Sequence, residues 1–289
     1  MRSVGCAGML RAACPEIAER RAAPGLGARG GSRVPRVSGD EAGAAVGGER
    51  NGHSVLARRL SAHRPLSEAE IGVVNRLSMA SRPVGPRTDL VREGEDPGGA
   101  YAILAGAACC YKLRTIGTRH IVGYLLPGDI ADADAVTVRR ADASLATLSA
   151  CTVAFLPRAL LAEIRAAHPG IASALRAAKL VEAAILRTWL ANLGCRSALE
   201  RTAHLFCELR ARLQVVGLAG DAAYDLPMTQ IDLSLTLGMS TVHMNRTLHE
   251  LRRQEAADLR GRTLHILDRD RLEGIAEFDP SYLRPVLMP

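Results

Sequence analysis

The chain has 289 residues, 48% of them hydrophobic and 3% aromatic, and its 37 Lys and Arg against 30 Asp and Glu leave a formal charge of +7. That length suits two cores and the basic balance suits a polyanionic partner, whereas so few aromatic rings argue against single-strand binding by base stacking. No apolar run approaches the ~20 residues of a membrane span, and the seven cysteines (Cys6, Cys14, Cys109, Cys110, Cys151, Cys195 and Cys207) include no Cys-x-x-Cys, so neither zinc nor a disulfide framework is indicated and a reducing cytoplasm is expected.

Residues 1–52 are rich in Ala, Gly and Arg and show no period of 2 or 3.6, so this tail is expected to be disordered. Its charged start lacks the apolar core of a signal peptide. Leu56, Leu60 and Leu66 then suggest a short helix. Ser67, with Glu70 three residues on, writes a capping box for a helix through Leu77. Apolar runs cut by Gly and Pro follow at Asp89–Gly94, Tyr101–Gly106, Ala108–Leu113, Arg119–Leu126 and Ser144–Leu156. Short runs at this spacing predict a small all-β barrel or roll.

A short helix from Pro157 stops before Pro169, and a longer one is expected from about Ile171 to Leu193. Leu175, Ala178, Glu182, Ile185 and Trp189 form its 3-4 stripe, with Ala174, Val181 and Ala184 beside it. Such small residues let two copies approach closely. A further helix over 196–215 carries Leu199, Ala203, Phe206, Leu209 and Leu213, which sets a domain boundary near Gly194.

The strongest signal lies beyond. Thr229 is a good N-cap with Asp232 three positions on, and Ile231, Leu233, Leu235 and Leu237 are the apolar side of a short helix. Gly238 sits where a tight helix-to-helix turn needs a residue without a Cβ. Ser240 caps a second helix with Val242 or Met244, Leu248 and Leu251 at helical spacing. The other face carries Thr241, His243, Asn245, Arg246, His249, Arg252 and Arg253, with Glu250 the only acid. After it, Leu259–Leu267 alternates around Gly261 as a two-stranded wing that turns Arg260, Arg262 and His265 toward phosphates. Helix, glycine turn, capped basic helix and basic hairpin in succession read as a DNA-binding helix-turn-helix head.

Thr229-Gln230-x-Asp232-Leu233, Leu237-Gly238-Met239-Ser240, Val242-His243-Met244-Asn245-Arg246-Thr247-Leu248 and Leu251-Arg252 resemble the winged helix-turn-helix of the Crp/Fnr superfamily of bacterial transcription regulators. Val91-Arg-Glu-Gly-Glu-Asp96, Tyr101-x-Ile-Leu-x-Gly106 and Leu126-Pro-Gly-Asp-Ile130 resemble its sensor, the cyclic-nucleotide-binding fold. The resemblance starts only near Asn51, so an overlong gene model is the expected origin of the tail. It implies an α+β chain: a double-stranded β-helix (jelly-roll-like) sensor over 53–170, a dimerisation helix over 171–194 and a winged helix-turn-helix domain over 195–283. Implied partners are double-stranded DNA, a second copy of the chain and RNA polymerase. The implied seam is Leu175, Ala178, Val181, Ile185 and Trp189. Thr241, Val242, His243, Asn245 and Arg246 would read bases, while Thr229, Gln230, Ser240, His249, Arg252, Arg260 and Arg262 would hold phosphates.

Cyclic-nucleotide sensors of this fold hold the ribose with a Glu and the phosphate with an Arg-Ser pair, because a phosphate inside an apolar roll must meet a cation. Counted from Gly128-Asp129, those positions fall at Ala133 and Ala143-Ser144, with Arg139 and Arg140 near but off register. Control by cAMP is therefore not expected. Cys6 and Cys14 are too few for an iron-sulfur cluster. His120, on a strand, is the one candidate haem ligand and reads better as a surface residue. Cys109 and Cys110 are adjacent on a strand and face opposite ways, which suits small buried hydrophobes better than a redox switch. No cofactor is expected, and the effector stays open. No nucleophile-base pair, phosphate loop or metal-spaced cluster points to an enzyme. The competing reading is a degenerate sensor scaffold acting through a protein partner with a vestigial DNA head, which a steep salt slope on DNA would separate.

Overall fold

The computed structural model describes residues 52–284 except 132, 135 and 138. The tail expected over 1–52 therefore lies, but for Gly52, outside the described residues. Two helices open the fold. In α1 (Val55–His63) the Ser54 hydroxyl accepts Ala57 N–H, and α2 (Glu68–Met79) starts on the predicted Ser67/Glu70 box, with both reciprocal bonds formed.

Eight strands follow: β1 (Ser81–Val84), β2 (Asp89–Val91), β3 (Gly99–Ala105), β4 (Ala108–Leu113), β5 (Arg119–Leu125), β6 (Ile130–Ala131), β7 (Ser144–Thr147) and β8 (Cys151–Pro157). They pair antiparallel in two four-stranded sheets, ordered β1-β8-β3-β6 and β2-β7-β4-β5. The run Ser144–Leu156 is thus two strands rather than one. The chain bends at Ser149, whose hydroxyl accepts the Ala107 amide at 3.0 Å, and crosses from one sheet to the other. Val84, Val91, Ile103, Leu125, Leu145 and Val153 fill the space between the sheets. The outer face of the first sheet is covered by α1, α2, α3 (Arg158–Ala167) and the start of α4 (Pro169–Cys195) through Leu56, Val74, Leu156, Leu161 and Ile171.

The rest of α4 corrects an expectation. Leu175, Val181, Ile185 and Trp189 are buried within their own chain, and Ala178 is partly buried and lines a cavity of this chain. Val181, Ile185 and Trp189 pack with Tyr111 and Tyr124 of the second sheet, with Leu126 just after β5, and with Phe206 and Leu209. Trp189 meets the Tyr124 ring edge-on at 5.7 Å. The stripe expected to be a seam is core, and the apolar side chains that α4 exposes are Leu180, Leu186, Leu190 and Leu193. A 3-4 period fixes which residues share a face but not which neighbour covers it.

α4 ends at Cys195 with Arg196 as its C-cap, and Ser197 caps α5 (Ala198–Val215) with Glu200 completing the box. Next come β9 (Ala223–Asp225), α6 (Gln230–Leu237), α7 (Thr241–Arg253), β10 (Ala257–Arg260), β11 (Thr263–Ile266), α8 (Arg269–Ala276) and a 3-10 turn, Pro280–Leu283. That turn and Phe278 return to α5, where His204 lies 5.3 Å from the Phe278 ring and 6.0 Å from Tyr282. Burial, then Arg196, drops His204 to about 4. An unfolded chain protonates histidine near pH 6.5. Between pH 6.5 and 4 the unfolded state binds the extra proton, so stability should fall as pH drops through that window, by up to about 3 kcal/mol for this group. Urea titrations across the window check this, with His204→Phe expected to flatten the slope.

Candidate nucleic-acid interface

The head is assembled by local rules. The Thr229 hydroxyl accepts Asp232 N–H at 3.2 Å, and the Asp232 carboxylate accepts Thr229 N–H at 2.8 Å, which closes a capping box at the start of α6. Gly238 ends α6 at φ 62°, ψ 39°, a left-handed conformation that costs a glycine nothing. Two residues later the Ser240 hydroxyl accepts His243 N–H at 3.2 Å and starts α7. Leu233, Leu237, Met244 and Leu251 lock the two helices onto Phe206 and Leu209 of α5. Ile231, expected on the apolar side of α6, is instead 59% exposed. In so short a helix the capping geometry and the buried Asp232 and Leu233 set the rotation, and Ile231 is carried outward.

Thr241, Val242, His243, Asn245, Arg246, His249 and Arg252 are all exposed on α7. Among the described residues neither the Arg246 nor the Arg252 side chain has a hydrogen-bond or ion-pair partner, so both guanidinium groups are open to a ligand. Arg253 differs: it forks onto Glu250 at 2.6 and 2.8 Å, and that contact, then Gln254, drops the Glu250 carboxyl to about 2. Asn245 Nδ2 donates to Gln230 Oε1 at 3.4 Å, placing the side chain of one expected phosphate-holding residue beside an expected base reader. Thr229, Gln230 and Ser240 are exposed at the N-terminal ends of α6 and α7, where unpaired amides favour an anion.

The wing forms as β10 and β11, with Leu259 opposite Leu264 and Arg260 opposite Thr263. Arg260 is exposed but pairs with Asp258 at 2.7 Å, while the exposed Arg262 donates to the Pro227 carbonyl at 3.2 Å. His265 is half-buried. The wing has a third strand, β9, paired with β11. Three residues carry too little alternation for that strand to be read from sequence.

Sequence reasoning also missed a set of buried charges behind the head. Glu208 on α5 is fully buried and accepts hydrogen bonds from Trp189 Nε1 at 2.9 Å, Tyr282 Oη at 2.9 Å and Arg212 at 3.2 Å. Arg212 also pairs with Asp129 at 2.7 Å and donates to the Tyr124 carbonyl at 2.7 Å, and Arg59 of α1 meets the other Asp129 oxygen at 3.0 Å. Burial pushes Asp129 upward, but Arg59 and Arg212 outweigh it and hold the carboxyl below its ordinary range. Glu208 is pushed up by burial. The available signal was a Glu and an Arg at i and i+4 inside an apolar helix.

Arg59, Asp129 and Arg212 line one side of a cavity of about 610 Å³ between the roll, α4 and α5, closed partly by Leu283 of the 3-10 turn. Ala133, Asp142 and Ala143 also line it. Arg139 and Arg140 are exposed and do not line it. Cys109 is buried and pushed up to about 12 by burial, then Asp232, and His120 is half-buried on β5. Among the described residues no helix is long and apolar enough to cross a membrane.

Residues 200–275 match a Crp-like helix-turn-helix domain and residues 82–168 a cyclic nucleotide-binding domain. The chain is 30% identical to the nitrogen fixation regulation protein FixK of Bradyrhizobium diazoefficiens over 176 residues, 61% of this chain and 73% of that one. It is 22% identical to the fumarate and nitrate reduction regulatory protein of Vibrio cholerae over 211 residues, 73% and 84% of the two chains. Among solved structures, FixK2 of Bradyrhizobium japonicum superposes with a TM-score of 0.61 at 24% identity, over 68% of this chain and 96% of that chain. The c-di-GMP-responsive regulator CLP of Xanthomonas campestris superposes at 0.55 and 17% identity, over 68% and 99%. These two structures share the fold.

Proposed function

This chain belongs to the Crp/Fnr family of DNA-binding transcription regulators, and on that premise we propose that it works in the cytoplasm as a homodimer on a palindromic operator and is not switched by cAMP. The observation that carries the reading is the α7 face, whose base-reading set is exposed and whose Arg246 and Arg252 are unpaired among the described residues. The winged head over 195–283 would read one half-site. The roll over 53–170 would sense, with RNA polymerase as the further partner. Against cAMP stand Ala133 and Ala143, apolar at the two positions where the family's ribose-holding Glu and phosphate-holding Arg would be, and Asp142, which brings a like charge; Arg59 and Arg212 on the cavity wall are already engaged by Asp129 and Glu208. Selection of bound sequences from random DNA by the purified chain, with and without cAMP, tests this. One palindrome, unchanged by cAMP and lost steeply with salt, is expected. A shift or gain of binding with cAMP would overturn the sensor reading, and recovery of single half-sites would overturn the dimer.

The seam we infer is the face of α4 whose leucines its own chain leaves partly exposed. Leu186, Leu190 and Leu193 recur at 4-3 spacing beside Leu180, and Leu190 is 73% exposed. Leu190→Glu should therefore give monomers in sedimentation and abolish binding to the palindrome while leaving the thermal midpoint nearly unchanged. Dimers of wild-type affinity in that variant would place the seam elsewhere.

A further inference from the structure

A dimer reads two half-sites together only if each head stands at a fixed offset from the seam, so the contacts between head and roll bear on recognition. Arg87 sits in the turn between β1 and β2, on the roll. Its φ of 58° is a left-handed value that an arginine seldom adopts. The turn is held by Arg87 N–H to the Thr147 carbonyl at 2.9 Å and by the Thr147 hydroxyl to the Gly85 carbonyl at 2.7 Å. From there the guanidinium forks onto Asp232, NH1 to Oδ1 at 2.6 Å and NH2 to Oδ2 at 2.8 Å.

Asp232 is the carboxylate that caps α6. It accepts Thr229 N–H at 2.8 Å and the Thr229 hydroxyl at 2.7 Å, and its side chain is 1% exposed. One carboxylate thus closes the first turn of the head and docks it on the roll. One helical turn on, the buried Tyr124 hydroxyl bonds Thr236. A bidentate fork fixes orientation as well as distance, which a lone ammonium does not. The opposite side of the head stays free, since Thr241, Val242, His243, Asn245 and Arg246 are exposed in this docked arrangement. The contact therefore orients the reading face without covering it.

We propose that Arg87, a residue of the sensor roll, is a positioning residue for operator recognition: through Asp232 it holds the head at the offset that sets the spacing between half-sites. The inference rests on the palindrome-binding dimer of the preceding section. Arg87→Ala leaves the α6 capping box intact, so the head still folds and Arg246 keeps its place on α7.

The test measures affinity of the full chain by fluorescence anisotropy for the selected palindrome, for versions with one or two base pairs added between half-sites, and for a single half-site. Wild type should lose at least tenfold for each added base pair. Arg87→Ala should bind the optimal palindrome about tenfold more weakly, because the head is no longer preorganised, and should distinguish the spacings by less than a factor of about three. Its single half-site affinity should match wild type, and Arg87→Lys, with charge but no fork, should fall between. Wild-type spacing discrimination in Arg87→Ala overturns the inference, as does tighter binding at every spacing, which would make the contact a restraint against DNA. If wild type itself ignores spacing, the dimer reading has failed first and the inference falls with it.

Discussion

Arg212→Met is expected to destabilise the fold by roughly 3–5 kcal/mol, the usual cost of removing one partner from a buried charge cluster. The guanidinium serves Glu208, Asp129 and the Tyr124 carbonyl at once, so its loss strands groups both on α5 and on the roll. Asp129 keeps Arg59 and the Leu126 amide. Among the described residues Glu208 keeps only the neutral donors Trp189 and Tyr282. Its carboxyl, already pushed up by burial, would take up a proton, which softens the penalty. Adding Glu208→Gln should therefore recover part of the loss, giving a coupling of about 1–3 kcal/mol in a double-mutant cycle. Urea unfolding of the four chains measures it. A single-variant cost below 1 kcal/mol, or strict additivity, would mean that the cluster is solvated and does not hold the head.

The second large effect is on DNA. Arg246→Ala should cost roughly 1–3 kcal/mol on the selected operator and relax choice at one base position. The side chain is exposed and, among the described residues, unpaired, on the same face as His243, Asn245 and His249. A guanidinium there can donate two parallel hydrogen bonds to O6 and N7 of a guanine in the major groove. Val242, 62% exposed, offers only apolar contact beside it, for instance to a thymine methyl. Arg252→Ala and Arg262→Ala should weaken all sequences alike and flatten the salt slope. Binding titrations on the operator and on random DNA at several salt concentrations separate the two patterns. Equal weakening of both DNAs by Arg246→Ala would make that arginine a phosphate clamp.

What the sequence disclosed and what it hid divide by range. The Ser67/Glu70 box, the Thr229 and Ser240 caps and the left-handed Gly238 depend on residues at most four apart, and each stands as its local chemistry requires. The roll was legible because Gly and Pro cut its strands to length. Which side of α4 its own chain would cover depended on Tyr111, Tyr124 and Phe206, so a true period was attached to the wrong neighbour. Arg87 lies 145 residues from Asp232 and had no pattern of its own. Glu208 and Arg212 did leave a mark, at i and i+4, but an apolar reading of α5 passed over it.

The bond from Tyr282 to Glu208 spans 74 residues. While the chain is being made, α5 leaves the ribosome with a buried-to-be carboxylate whose phenol donor has not yet been synthesised. Trp189 and Arg212 precede or accompany it, but the third partner arrives only after both reading helices, the wing and α8. The joint between roll and head therefore cannot set in its final form co-translationally ahead of the head, and must close late, around a domain that has already had time to fold.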